Sequence, residues 1–222
     1  MTDSEWTNRF LSTAEFFALA EARLSLKTPE ALTDPHIIPR DNDEDADPAV
    51  LAAIAAMRPI RTAAVLVPII ARAEPTVLFT QRTAQLADHA AQIAFPGGKI
   101  EAVDASPAAA ALREAEEEIA LDYRFVEPIG YLDVHMTPSG YRILPTLARV
   151  REGFSLRVND GEVDDAFEVP LAFLMAPQNH KRKRAEWNGL TTSVYAVPFN
   201  DRKIWGVTAG ILRNLRERIY KD

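Results

Sequence analysis

An α/β sandwich is the fold class this sequence predicts, and three observations predict it. Runs rich in Ala, Val, Leu and Ile recur with turn signals between them, as strands do. A single well-started helix, opening at Ser106-Pro107, is inserted among them. A second helix, at 207–220, closes the chain. One helix placed within a mixed set of strands and another after it fit a layered α/β domain.

The elements follow in order. Residues 6–24 read as an amphipathic helix, with Phe10, Phe17 and Leu24 at helical spacing and Leu11 and Ala20 beside them. That stripe is packing surface, and it makes a homodimer conceivable. The acidic run 40–48, RDNDEDADP, is a solvated connector, and a short helix follows at 48–57. Residues 1–58 thus form a helical extension with an acidic linker, and the main domain occupies 59–222. Its strands are expected at 62–72, 76–82, a short one at 92–95, 126–136, 141–150 (after the turn Thr137-Pro138-Ser139-Gly140), 155–158 and 193–199. A short helix is expected at 169–175.

Composition bounds the function. The chain has 222 residues, 47% of them hydrophobic, enough for one sizeable core. A net charge of −7 argues against broad nucleic-acid or anionic-membrane binding. With no cysteine there is no disulfide, thiolate metal site or cysteine nucleophile. No apolar run approaches a membrane span, and MTDSEWTNRF lacks the pattern of a signal peptide, so the cytoplasm is the expected compartment.

The chemistry concentrates in residues 95–121, FPGGKIEAVDASPAAAALREAEEEIAL. Pro96-Gly97-Gly98 is a tight turn that lets backbone approach a ligand or metal. Ser106 is a good N-cap and Pro107 a good first helical residue. On the helix, Glu114, Glu117 and Glu118 fall at i, i+3 and i+4 and share a face. Leu112, Ala115 and Ile119 supply the apolar side, and Glu116 points to water. Three converging carboxylates repel one another unless a cation sits between them, and a hard divalent ion with oxygen ligands fits that need.

These residues resemble the Nudix box, G-x5-E-x7-R-E-U-x-E-E-x-G-U, with U aliphatic. Gly98 takes the first place and Asp104 stands for the first Glu. Arg113, Glu114, Ala115, Glu117, Glu118 and Leu121 fall into register after a gap one residue longer, with Ala120 in place of the last Gly. The preceding segment, VLFTQRTAQLADHAAQIAFPGG, resembles the signature of the coenzyme A pyrophosphatases of that superfamily, L-L-T-x-R-[SA]-x3-R-x3-G-x3-F-P-G-G. Leu78, Thr80, Arg82, Phe95, Pro96, Gly97 and Gly98 match. Phe79, Thr83, Ala87 and Ala91 depart, and Ala87 replaces an Arg that would grip phosphate. Weaker likenesses at Ser139–Ile143, Glu162–Pro170 and Trp205–Ala209 extend the resemblance over about residues 60–217.

What the resemblance implies is a Nudix-type α/β/α sandwich, with a mixed β-sheet and a catalytic helix after the Gly-Gly turn. The implied activity is hydrolysis, dependent on Mg²⁺ or Mn²⁺, of coenzyme A or acyl-coenzyme A to a 4′-phosphopantetheine species and adenosine 3′,5′-bisphosphate. The alternatives are the same chemistry on ADP-ribose, a dinucleotide or another nucleoside diphosphate derivative, and a non-catalytic nucleotide-binding module. Glu114, Glu117, Glu118 and a backbone carbonyl of Gly97 or Gly98 are the expected metal ligands. Glu118 and Glu114 are catalytic candidates, and Arg113 is expected to orient a box glutamate. Arg82, Phe95, Gly97 and Gly98 are the expected substrate contacts. Glu162 and Asp165 are base candidates outside the box. His180–Arg184 reads as a solvated, charged loop, with phosphate contact as its functional alternative. His89 and His135 read as structural, Tyr131 and Tyr141 as core, and Trp187 as a candidate for stacking on adenine.

Overall fold

A computed structural model describes residues 11–39, 48–84, 91–137, 139–187 and 190–220. In chain order the elements are α1 (Thr13–Arg23), α2 (Pro48–Ala55), β1 (Arg61–Ile70), β2 (Thr76–Arg82), β3 (Ile93–Ala94), β4 (Gly97–Lys99) and α3 (Pro107–Ile119). Then follow β5 (Val126–Tyr131), β6 (His135–Met136), β7 (Tyr141–Val150), β8 (Val163–Pro170) and α4 (Leu171–Met175). The last are β9 (Lys181–Trp187), β10 (Leu190–Phe199), β11 (Arg202–Trp205) and α5 (Val207–Tyr220).

The main sheet is mixed. β1 runs parallel to β7 along its whole length, from Arg61↔Tyr141 to Ile70↔Val150. Its other side is shared between two antiparallel partners. β2 pairs only at Ile69 and Ile70, whereas β4 pairs at Ala63, Ala64 and Val65. β2 therefore splays from β1, and the segment from β3 to β4 fills the opening, with β3 leaning on β2 at Thr80 and Gln81. β8 flanks β2, and β5 and β6 both flank β7.

Strand alternation sends side chains to two cores. Ala64, Leu66, Ile70, Leu78, Ala148 and Val150 pack against Ala110, Ala111, Ala115 and Ile119 of α3. Val67, Ile69, Val77, Phe79 and Leu147 pack on the opposite face with residues of α1, α4, α5, β10 and β11. Helices on both faces of a mixed sheet make the α/β/α sandwich expected from the sequence. A smaller antiparallel sheet, β11-β10-β9, adjoins α5.

The N-terminal stripe is packed within its own chain. Phe16, Phe17 and Ala20 of α1 are buried in the second core. Gly130 of β5 admits the chain just after α1, because a Cβ there would stand 2.5 Å from Leu24 Cβ. Phe10 and the acidic run 40–47 lie outside the described residues.

Three expectations need correction. Residues 155–158 are not a strand, because their backbone donors serve α3. Arg157 N–H donates to the Ile119 carbonyl at 3.0 Å and Asn159 N–H to that of Glu118 at 2.8 Å, satisfying carbonyls the helix end leaves free. The strand expected over 126–136 breaks after Tyr131, where Asp133 N–H donates to Asn214 Oδ1 at 3.1 Å instead of to a neighbouring strand. The charge run at 181–184 is solvated, as expected, but it is strand β9 and not a loop, paired with β10 from Lys181↔Ala196 to Trp187↔Leu190.

Candidate active site

The site is built where the sheet splits. Gly97 and Gly98 run along β1 in register with Val65 and Ala64, and Leu66 N–H donates to the Pro96 carbonyl at 2.8 Å. Close backbone approach requires glycine at Gly97, whereas a Cβ at Gly98 would displace the Glu114 side chain. A Cβ on Gly97 would lie 2.4 Å from the Ala64 carbonyl oxygen, and one on Gly98 would lie 2.5 Å from the Glu114 carboxylate.

The opposite wall is α3. Ser106 caps it by accepting from Ala109 N–H at 3.1 Å, with Pro107 in the first turn. Its alanine-rich face docks on β1, so Glu114 and Glu118, one turn apart, face the glycine backbone. Glu118 is only 3% exposed. Gly97 N–H donates to its Oε2 at 3.3 Å, and the nearest cation is Arg82, with Nη1 3.9 Å from Oε1. Burial pushes the Glu118 carboxyl up to about 8; Arg82 and the Gly97 N–H draw it back down, while Glu114 and Glu162 reinforce the rise. Burial also raises the Glu114 carboxyl, opposed by its bond to Arg113.

Arg113 ties the helix to the loop before it. Its Nε and Nη2 grip both Asp104 oxygens at 3.0 and 3.1 Å, Nη2 also donates to the Lys99 carbonyl, and Nη1 donates to Glu114 at 2.9 Å and Glu117 at 3.0 Å. The Arg113 bond holds the Asp104 carboxyl below its ordinary value, and Asp104 bonding raises the guanidinium above its own. Asp104, which stands at the place of the first Glu of the box, is thus bound to the box arginine.

The structure brings Arg82, Gly97, Gly98, Glu114 and Glu118 together. Glu117 is drawn outward onto Arg113, with 55% of its side chain exposed, and among the described residues no three of His, Cys, Asp and Glu stand grouped to grip an ion. Of the outside carboxylates, Glu162 is exposed yet near enough to raise both Glu114 and Glu118. Asp165 pairs with Arg202 at 2.6 Å. Phe95 is buried against Phe79, ring centroids 4.9 Å apart. Tyr131 is core, its hydroxyl accepting from Ala108 N–H at 3.2 Å. Residues 85–90, with Ala87 and His89, and the Trp187 side chain lie outside the description.

A cavity of about 630 Å³ opens beside Gly97, Gly98, Lys99 and Arg82. Sequence reasoning missed most of its walls, including Asp133, Tyr195, Arg213 and Asn214. They come from segments distant in the chain, and the likenesses at Ser139–Ile143 and Trp205–Ala209 are what pointed to the cavity.

A two-glycine wedge against a carboxylate-bearing helix in a split mixed sheet is the arrangement expected of a Nudix domain, and the model of the NUDIX domain family matches residues 60–188. The chain belongs to this family and is a Nudix hydrolase, an enzyme class that needs divalent metal ions. It is 40% identical over 159 residues, covering 72% of this chain and 80% of the relative, to an uncharacterized Nudix hydrolase, NudL, of Yersinia pestis (strain Pestoides F). The same figures hold for NudL of Yersinia pseudotuberculosis serotype O:1b (strain IP 31758). Among solved structures, a C. elegans Ap4A hydrolase is similar with a TM-score of 0.43 and 19% identity, over 49% of this chain and 80% of that one. The NUDIX domain of Shewanella oneidensis NrtR, complexed with ADP ribose, gives 0.41 and 19%, over 58% and 80%. No helix among the described residues is long and apolar enough to cross a membrane.

Proposed function

We propose that this chain hydrolyses the diphosphate of coenzyme A or an acyl derivative, releasing a 4′-phosphopantetheine species and adenosine 3′,5′-bisphosphate, with Mg²⁺ or Mn²⁺ as cofactor. One observation carries the substrate assignment. The coenzyme A-like segment 78–98 supplies Arg82 on β2 and Gly97-Gly98 on β4, and these line one cavity beside Glu118. Ala91, which departs from the signature's Gly, has φ 56°, in the left-handed region that favours glycine.

The donor set fits a hard cation. Glu114 and Glu118 flank a side-chain-free stretch of backbone, and Glu118 is buried with one cation no nearer than 3.9 Å. Glu114, Glu118 and a carbonyl of Gly97 or Gly98 would hold it, with Glu117 joining on leaving Arg113. Bound there, a divalent ion neutralises the diphosphate and lowers the pKa of water. Arg82 presents its guanidinium to phosphate oxygens. Arg113 orients Glu114 and fixes the loop at Asp104. Glu118 takes the proton of the attacking water, since it is the carboxylate set against the Gly97 backbone; Glu162 at the rim is the comparison.

The test is a chromatographic assay of the two phosphomonoester products, with Mg²⁺ or Mn²⁺, across coenzyme A, acyl-coenzyme A, ADP-ribose and dinucleotides. Turnover of the coenzyme A species supports the assignment, and turnover of ADP-ribose alone refutes it. Hydrolysis of none would leave a nucleotide-binding module. Glu118→Gln is expected to abolish turnover and Glu162→Gln to spare most of it; the reverse would move the base to Glu162.

A further inference from the structure

Residues 48–55, PAVLAAIA, contain no polar side chain. Even so, α2 lies at the surface with Ala49, Ala52 and Ala53 exposed, where a helix ordinarily shows a polar face. Its inward residues, Val50, Leu51 and Ile54, line the same cavity that begins at the Gly-Gly turn. The cavity therefore has two unlike ends. Arg82, Lys99 and the Gly97-Gly98 backbone form the end suited to phosphate. Val50, Leu51 and Ile54, with Val194 of the neighbouring β10, form a mainly aliphatic wall at α2, while Ser139, Tyr141 and Ser193 add polar groups to the cavity. Against the Val50, Leu51 and Ile54 side chains themselves, the sugar hydroxyls and base edges of a second nucleotide would find no polar partner. An alkyl chain would exchange water for those walls favourably.

We propose that the α2 end of the cavity takes the apolar chain of an acyl thioester, so that acylated coenzyme A is preferred over the free thiol. Leu51, half-buried on α2, is a specificity-determining residue for that chain. This rests on the coenzyme A reading above and deepens it. The element responsible precedes residues 60–188, which match the family, so the selectivity is set from outside the matched domain.

The test compares free, acetyl-, hexanoyl- and octanoyl-coenzyme A in the wild type and in Leu51→Trp, which fills the aliphatic end. Wild-type kcat/KM should rise with chain length, by up to about fourfold for each methylene fully buried. In Leu51→Trp the octanoyl-to-acetyl ratio should fall back toward one. A flat wild-type profile, or a Leu51→Trp variant that lowers all four in proportion, would overturn the inference while leaving coenzyme A hydrolysis standing. If no coenzyme A species is hydrolysed, it is the proposed function that fails. Calorimetric titration of the metal-free protein with free and octanoyl-coenzyme A then decides the cavity, equal affinities counting against it and tighter octanoyl binding, lost in Leu51→Trp, for it. A dimer in sedimentation velocity that Leu51→Asp splits would assign the α2 face to a second copy of the chain and also overturn the proposal.

Discussion

Ala120 ends α3 in a left-handed conformation, φ 53° and ψ 34°, where the Nudix box has its last glycine. Its N–H reaches the Ala115 and Glu116 carbonyls, so the helix end is hydrogen-bonded and the cost is confined to the Cβ. An L-residue in this region costs about 1–2 kcal/mol. Glycine's greater freedom in the unfolded chain offsets about 0.4–1 kcal/mol of that. Ala120→Gly should therefore stabilise the protein by about 0.5–1 kcal/mol. For a chain of this size each kcal/mol moves the melting temperature by about 2–4 °C, so a rise of about 1–4 °C is expected. Urea unfolding should show a higher midpoint at unchanged slope. Ala18→Gly is the control, an exposed alanine inside α1, where glycine costs about 0.5–1 kcal/mol. The two substitutions should move the midpoint in opposite directions. If Ala120→Gly lowers it as Ala18→Gly does, the left-handed cap carries no strain and the reasoning is wrong.

Further outcomes concern charge. The Glu118 carboxyl sits near 8 in the folded protein against 4.5 unfolded, so between those values the folded state holds a proton the unfolded chain has released. Stability of the metal-free protein should fall as pH rises through that window, by on the order of 5 kcal/mol in full, and Glu118→Gln should abolish that dependence in urea titrations from pH 5 to 9. His180 works the other way. Burial lowers its imidazole, Nε2–H donates to the Leu174 carbonyl at 2.6 Å and Nδ1 is buried without a partner among the described residues, so stability should be full above the ordinary value and lost as pH drops below 6.5. His180→Phe should flatten the melting temperature between pH 7.5 and 5.5. Arg113→Lys keeps the charge but cannot grip Asp104 while reaching Glu114 and Glu117. A loss of about 2 kcal/mol and at least about a tenfold drop in kcat are expected, and retention of both would deny Arg113 its positioning role.

The sequence was most legible where an element carries its own pattern. β2, β7 and α5 have the expected bounds because apolar runs and turn residues delimit them. β8 and β9 did not show themselves. VDDAFEVP and KRKRAEW have no clean alternation, and it is the partners β2 and β10 that hold them extended. In the site, helical spacing placed Glu114, Glu117 and Glu118 on one face, which is true of their Cβ atoms. It could not place the carboxylates. Arg113 turns Glu117 toward solvent, and Glu118 is buried beside the Gly97 backbone and Arg82. The fate of Asp165 depended on Arg202, 37 residues along the chain, which no local pattern reveals.

The wedge between β1 and β2 bears on where this enzyme can move. Its two glycines look like a loop in the sequence, yet residues 92–100 are hydrogen-bonded on both flanks: Arg82 N–H to Gln92, Leu66 N–H to Pro96 and Ile100 N–H to Thr62. Freeing the Gly97 and Gly98 backbone means parting β4 from β1, the innermost strand of the sheet. Amide hydrogens of β1 and β4 should then exchange with solvent only through openings close to global unfolding. On the proposed function, the Gly-Gly end of the cavity is held by the sheet, and adaptation to different substrates would fall to the cavity walls contributed by α2, β10 and β11.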